Sequence, residues 1–476
     1  MSFPYQHRTQ RCDDVLKTQS PWSSPYIQSL SAIRASNTTL ARYECYLARN
    51  DTFDQDAASL TSPLMRSGLL KALGPGILLA AASIGGSHLV SSTQAGALYG
   101  LGLLGLLLLA NLLKYPFLLI GSRFTAVTGR SLLEGYQHQS PWFLPLYLLI
   151  TLSTGVANIA AVSSLAGSLA TAVAPGSPQA LGLLVLAISL LVLLLGQYRS
   201  LDRLSKAVVA LLVLCTVMAA VATLIRGPAA GFAVMFTPSP WTWGSLPFLV
   251  ALLGWMPCPL DLSAWTSLWI YAREQDSGHK SSRTEVEADF NIGYSATVLM
   301  AVLFLVLGAW VMHGTGIQFS QAGAAFSQQL IELYTASLGA WAYLLIALAA
   351  LMTMFSTVLT CLDGYPRSAS ASVRLLQGHR GMAVLNSNSQ RFWMLLHFAL
   401  ACAVLLWWSG SMGALVTLAM WVSFVTTPVL AWMNWRVMQS RQVAPQDRFG
   451  PAMSRLAAIS LGVLSLFVVL FGISLV

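Results

Sequence analysis

The sequence predicts an all-α, polytopic membrane protein, and three observations predict it. Of 476 residues, 56 % are hydrophobic and only 9 % charged, against about 25 % charged in a soluble domain. Eleven segments reach the roughly 20 apolar residues that a helix needs to cross the hydrocarbon core. Lys and Arg, finally, gather in every second connection, as a membrane topology requires.

The predicted spans are 73–96, 99–122, 143–171, 177–196, 205–225, 244–271, 289–312, 338–362, 391–409, 412–434 and 454–476. All are too long and too uninterrupted for barrel strands, so helices are the solution that pairs every backbone group within its own segment. With the N-terminus inside, the loops after spans 2, 4, 6, 8 and 10, counted with the first two residues of the span that follows, carry two (Arg123, Arg130), three (Arg199, Arg203, Lys206), three (Arg273, Lys280, Arg283), four and four basic residues. The external loops together carry one, Arg226. This predicts a multi-pass protein of the cell membrane with its N-terminus cytoplasmic and its C-terminus outside. It also accounts for the net charge of +9 as a topology signal, with no nucleic acid among the expected partners.

Residues 1–64 differ in kind. They hold six basic and six acidic residues, no apolar span and no signal-peptide core. The expectation is a polar, disordered cytoplasmic tail ahead of a transporter domain at 65–476. The alternative is that Met65 is the true start, since MRSGLLKALGPG leads directly into span 1. The six cysteines, at 12, 45, 215, 258, 361 and 402, show no CxxC spacing and suggest no disulfide framework. Cys215 and Cys402 read as small lipid- or core-facing residues.

Two spans are interrupted. Span 1 contains SIGGSHLVSSTQAG (83–96), where Gly85, Gly86 and Ser87 have weak helix propensity. Span 6 contains FLVALLGWMPCPLDLSAWTSLW (248–269), where Pro257 and Pro259 each remove a helical N–H. Two breaks five spans apart point to an inverted repeat, spans 1–5 and 6–10, with a polar site where the breaks meet near the midplane. Unpaired carbonyls, N–H groups and half-helix ends would build that site. The competing reading of Gly85 and Gly86 alone is close helix packing.

From Gly74 the chain resembles the NRAMP family of proton-coupled divalent metal transporters, a branch of the LeuT-fold superfamily. The resemblance rests on GPGILLAAASIGGSHLVSSTQAGALYG, LLLLANLLK, TGRSLLEGY and WMPCPL, and extends over about 400 residues. DFNIGY (289–294) and TCLDGYPR (360–367) look like a divergent, mainly bacterial branch, which implies a bacterial inner membrane. Counting back from Gln94, the family's Asp-Pro-Gly-Asn signature falls with its aspartate on Gly85 and its asparagine on His88. Its Met-Pro-His signature appears as Met256-Pro257-Cys258, and the liganding carbonyl three residues earlier falls on Leu253. The acidic pair of the family's proton route corresponds to Ser163-Ser164-Leu165-Ala166-Gly167, and a span 10 glutamine to Trp421.

The residues expected to form the substrate site are therefore Gly85, Ser87, His88, Leu253, Met256, Cys258 and Asp261. A dication out of water needs ligands and charge to replace its hydration. One carboxylate, Asp261, serves Mg²⁺ or Ca²⁺ poorly. His88 and Met256, with Cys258 and carbonyls, suit Zn²⁺, Cu⁺ or Ni²⁺ better than Mn²⁺. Asp261, four residues after Pro257, is a candidate counter-ion, proton carrier or ligand, with capping of the second half-helix as the plainer alternative. His88 is a candidate proton acceptor, or else a neutral ring bonded to the broken backbone of span 6. Asn158, Ser163 and Ser164, with Asp261, are candidates for a polar or proton path, or for packing between helices.

Lys114 reads as an interfacial, snorkelling lysine, and Asp363 as the partner of a loop arginine such as Arg367. Residues 319–341 have the spacing of an amphipathic outer-surface helix, and 273–288 that of a charged, flexible loop. The expected function is secondary transport by alternating access, of a divalent metal cation, with protons as candidate coupling ions. The alternatives are transport of a small organic cation or amino acid and, less favoured, a non-transporting membrane sensor. No HExxH, GxSxG or P-loop pattern argues for an enzyme, and no cofactor is expected. The expected partners are the lipid bilayer and the small transported solute.

Overall fold

The computed structural model describes residues 74–475 apart from 197, 382–384 and 386. The alternatives for residues 1–64 lie outside these described residues. Among the described residues every regular element is helical, and each of the eleven predicted spans is occupied by helix.

Span 1 comprises α1 (Pro75–Ser83), a π-helical turn (Ser87–Ser92) and α2 (Thr93–Tyr99). Its two halves meet at 46°. Span 2 is α3 (Leu104–Thr128), followed by the short α4 (Leu132–Gln139), whose start is fixed by the Ser131/Glu134 capping box. Spans 3, 4 and 5 are α5 (Phe143–Ala170), α6 (Pro178–Leu194) and α7 (Tyr198–Arg226). Span 6 is split into α8 (Leu246–Trp255) and α9 (Leu262–Ser277). Span 7 is α10 (Arg283–Val311), and the predicted outer amphipathic helix is α11 (Gly323–Leu338). Spans 8 to 11 are α12 (Tyr343–Leu376), α13 (Ser387–Trp407), α14 (Met412–Met438) and α15 (Pro451–Ser474).

Seven of these helices are individually long and apolar enough to cross a membrane, and the bent pair of span 1 makes an eighth. The remaining predicted spans contain shorter apolar helices: α6, the Ala210–Arg226 part of α7, and α8 with its lead-in. The stretch expected as a loop at 273–288 is mostly helix, since α9 continues to Ser277 and α10 begins at Arg283. The Ser282/Glu285 capping box explains the early start of α10. Asp363 does pair with Arg367, at 2.7 Å, but one turn apart inside α12 rather than across a loop.

The helix contacts repeat when each span is exchanged for the one five places away. Span 3 packs on span 4 as span 8 packs on span 9; span 1 packs on span 7 as span 6 packs on span 2. Likewise span 3 meets span 10 as span 8 meets span 5, and spans 3 and 8 meet each other. That is the contact pattern of two five-span halves related by an internal twofold axis.

Span 1 lies against span 7 at backbone distance. A side chain at Gly76 would run into Asp289 O, and one at Gly96 into Leu305 O; Gly293 and Gly308 answer them from α10. Small residues permit this approach where lipid leaves no hydrophobic force to drive it.

Candidate functional site

The site is built where the two breaks meet. In span 1, α1 ends with Ile84 N–H donating to Ala80 O at 2.7 Å, and helical pairing resumes beyond Gly85 and Gly86. In span 6, α8 ends with Met256 N–H donating to Leu252 O at 3.0 Å, and Met256 itself is extended. Pro257 and Pro259 have no N–H to offer the carbonyls of Leu253 and Trp255. Ser87 joins the breaks: its Oγ lies 2.5 Å from Ser83 O and 3.3 Å from Pro257 O.

Between the breaks is a cavity of about 30 Å³, room for roughly one or two waters. Its polar wall is Ser83, Ser87, Asn158, Cys258, Thr357, Cys361 and Tyr365, and its aromatic wall Trp255 and Trp265. Asn158 organises that wall. Its Oδ1 accepts from Trp255 Nε1 at 2.8 Å, and its Nδ2 donates to Tyr365 Oη at 2.9 Å and Ser423 Oγ at 3.1 Å. Spans 3, 6, 8 and 10 are thereby tied together through one amide.

The sequence-predicted residues divide. Ser87 and Cys258 line the cavity, as does Asn158 from the proposed polar path. Gly85 sits beside it, walled by Thr357, whose Oγ1 a side chain at Gly85 would strike. His88 is turned away: Nδ1 lies 2.8 Å from Ser83 O and 2.7 Å from Ser87 Oγ, and Nε2 lies 2.9 Å from Thr297 O in span 7. Both ring nitrogens are thus engaged with spans 1 and 7, neither with span 6. Leu253 and Met256 are fully buried beside the break and are not part of the cavity wall.

Asp261 stands at the N-cap position of α9, yet its side chain makes no capping bond. Its Oδ2 accepts from Thr154 Oγ1 at 2.7 Å, Oδ1 has no hydrogen-bond partner, and the residue is 1 % exposed. Of the residues expected along a polar path, Asn158 lines the cavity, and Ser163, Ser164 and Asp261 lie outside its wall. The backbone of Ser163 and Ser164 faces Gly182 of α6, and neither serine lines the void. Trp421 donates through Nε1 to Pro247 O at 2.9 Å, at the start of α8.

Lys114 corrects the sequence reading. It is 0 % exposed, and its Nζ donates to Gly254 O at 2.7 Å and Cys258 O at 3.0 Å. The freed carbonyls of span 6 draw the ammonium inward, where a snorkelling lysine would reach for water. Sequence reasoning also missed Thr357, Cys361 and Tyr365. Their spacing of four residues places them on one face of α12, a signal that was present in the sequence. Among the described residues no three His, Cys, Asp or Glu side chains cluster to hold a metal ion. The sulfur available at the cavity wall is that of Cys258 and Cys361.

Two interrupted spans in opposed halves, with a small cavity between them into which a few polar side chains converge, define a secondary transporter of the broken-helix, inverted-repeat class. The chain belongs to the natural resistance-associated macrophage protein-like (Nramp) family, whose sequence profile matches residues 76–474. It is 39 % identical over 369 residues to an uncharacterized protein of Pasteurella multocida, covering 76 % of this chain and 84 % of that one. It is 24 % identical over 263 residues to the divalent metal cation transporter MntH of Brucella suis, covering 52 % of this chain and 56 % of that one. Its fold is similar to that of a manganese transporter of Eremococcus coleocola, with TM-score 0.64 and 16 % identity over 86 % of this chain and 87 % of the other.

Proposed function

We propose that the chain carries a divalent metal cation across the membrane by alternating access, with the cavity between the two breaks as its site. The observation that carries this reading is the opposition of the breaks. Trp255, whose carbonyl is deprived of its helical donor by Pro259, stands at a void walled also by the Cys258 and Cys361 thiols and by serine, asparagine and tyrosine. The Leu253 carbonyl, freed by Pro257, is in the same break behind it. Family membership and the divalent metal transport of the Brucella relative support the class of cargo. With Gly85 where the resembling family keeps an aspartate, the site offers sulfur and neutral oxygen in place of a second carboxylate. That composition suits a thiophilic ion such as Zn²⁺ or Cd²⁺ better than Mg²⁺ or Ca²⁺.

Asp261 is the proposed proton-coupling group, because its Oδ1 is buried and without a partner. Met256 is retained as a second-rank ligand that would need to rotate to reach the cavity. His88, held by spans 1 and 7, is a positioning residue of the first break in this reading. The membrane is proposed to be a bacterial cell membrane, with the basic ends of the helices on the cytoplasmic side, so that the N-terminus is cytoplasmic and the C-terminus outside.

Uptake into proteoliposomes tests the reading, with Mn²⁺, Zn²⁺, Cd²⁺ and Mg²⁺ outside and a pH dye inside. The expected result is saturable uptake of a thiophilic ion, reduced by Cys258→Ala, with internal acidification that Asp261→Asn removes. Uptake of organic amines in place of every metal would overturn it.

A further inference from the structure

Resting on the reading of the break as a cation site, a second property follows from Lys114. Gly254 and Cys258 flank the Met256–Pro257 step, and the ammonium of Lys114 reaches from α3 to both carbonyls. An ammonium taken out of water costs several kcal/mol unless polar partners and an opposite charge replace its hydration. Here two backbone oxygens supply the polar partners, and Asp261, in the same break, is the nearby acid. These are the interactions a bound metal ion would draw from the same break. Cys258 bonds Lys114 through its carbonyl while its side chain lines the cavity, so ammonium and metal contend at that residue, the ammonium from behind the break and the metal from the cavity.

We propose that Lys114 is a tethered stand-in for the transported cation: its ammonium holds the Gly254 and Cys258 carbonyls of the span 6 break when the carrier is empty, and a metal bound through Cys258 displaces it. The empty carrier then closes without leaving buried carbonyls bare, which in a membrane interior would hold it open or unfold it. Lys114 therefore serves the return of the unloaded carrier. A loaded carrier, its carbonyls engaged by metal, needs it less. Like charges within one small site also oppose simultaneous occupancy, so the lysine weakens metal binding as it speeds the return.

The test separates net uptake, which needs the empty carrier to return, from metal-for-metal exchange, which does not. Wild type, Lys114→Met and Lys114→Gln are compared in proteoliposomes with whichever of Mn²⁺, Zn²⁺ and Cd²⁺ the wild type carries. Net uptake is expected to fall about tenfold relative to exchange in both variants, the factor set by a shift of about 1.4 kcal/mol in the closing equilibrium. Glutamine can still donate to both carbonyls. If it restores the wild-type ratio, hydrogen bonding alone is the role of Lys114 and the proposal fails. It fails also if net uptake and exchange fall equally or neither changes.

A cargo-independent measurement accompanies this. In metal-free protein, modification of Cys258 by N-ethylmaleimide, followed by mass spectrometry, is expected to be several-fold faster in both variants than in wild type. An unchanged rate overturns the proposal whatever the cargo. If the wild type carries none of the three ions while the Cys258 rates differ as expected, the metal reading fails and the role of Lys114 in closing the empty carrier stands.

Discussion

Gly85 carries more information by what it excludes than by what it offers. An aspartate there would project its Cβ into Thr357 Oγ1, with the Thr357 methyl 3.1 Å away. Overpacking of this kind costs about 1–3 kcal/mol. Gly85→Asp alone should therefore lower the thermal midpoint and leave metal binding weak. With Thr357→Ala the midpoint should recover and divalent affinity, measured by calorimetry, should exceed that of the parent. No gain in affinity in the double variant would show that the site's geometry, rather than its missing carboxylate, limits binding. Asn158 allows a second prediction at this scale. Asn158→Ala strips partners from the Trp255 indole and the Tyr365 hydroxyl, at about 1–3 kcal/mol for each group left buried and unpaired. Transport should be lost together with several degrees of thermal stability, whereas Tyr365→Phe should cost far less. Residue roles were the least legible part of the sequence. The register from Gln94 set Gly85, and the Met-Pro pattern set Cys258, at the two breaks, but a linear motif does not reveal which way a side chain turns. His88 bonds to a carbonyl 209 positions away and Lys114 to one 140 away, and such distant acceptors leave no local pattern.

At the scale of elements, the breaks were legible because their cause is local: glycine flexibility in span 1 and two absent N–H donors in span 6. The π-helical turn after Gly86 and the early start of α10 were not, because both depend on what packs beside them. One contact between elements bears directly on gating. Asp289 of α10 accepts from Gly76 N at 2.6 Å and from Gly74 N at 3.2 Å, so a carboxylate from span 7 caps the first half-helix of span 1. Caps of this kind contribute about 0.5–2 kcal/mol, and the favourable sign follows from the positive end of the helix dipole. α1 is only 9 residues long, so that cap is a sizeable share of what holds it. Asp289→Asn should free α1 to swing away from span 7 and expose Cys258 to a membrane-impermeant thiol reagent from the basic end of the bundle. Labelling that rises equally from both sides would mean general loosening rather than a gate.

For the molecule as a whole, the repeat and the charge asymmetry are independent properties that meet in one prediction. The fivefold shift that maps spans 1–5 onto 6–10 inverts topology, because an odd number of crossings separates equivalent helices. Packing alone is thus indifferent to which end faces the cytoplasm; the basic loops must decide it. The structure uses some of that charge at one end: Arg123 meets Glu287 at 2.6 Å, Arg283 meets the same Glu287 at 2.7 Å, and Arg283 reaches Asp447 at 3.3 Å. These pairs join span 2, span 7 and the connection between spans 10 and 11 on the side where α1 begins. Their partners offset part of the basic excess there, yet Arg130, Lys280, Arg436 and Arg441 add to it in the same connections, while the opposite end holds Arg226 alone among the predicted loops. Alkaline phosphatase fused after Gly129 or Gly278 should therefore be inactive, and fused after Gly227 or Gly314 active. Moving two arginines into the 227–243 connection while neutralising Arg123 and Arg130 should weaken that contrast. A reversed pattern in the unmodified chain would place the basic ends outside, and the Asp289 cap would then hold the outer gate instead of the inner one.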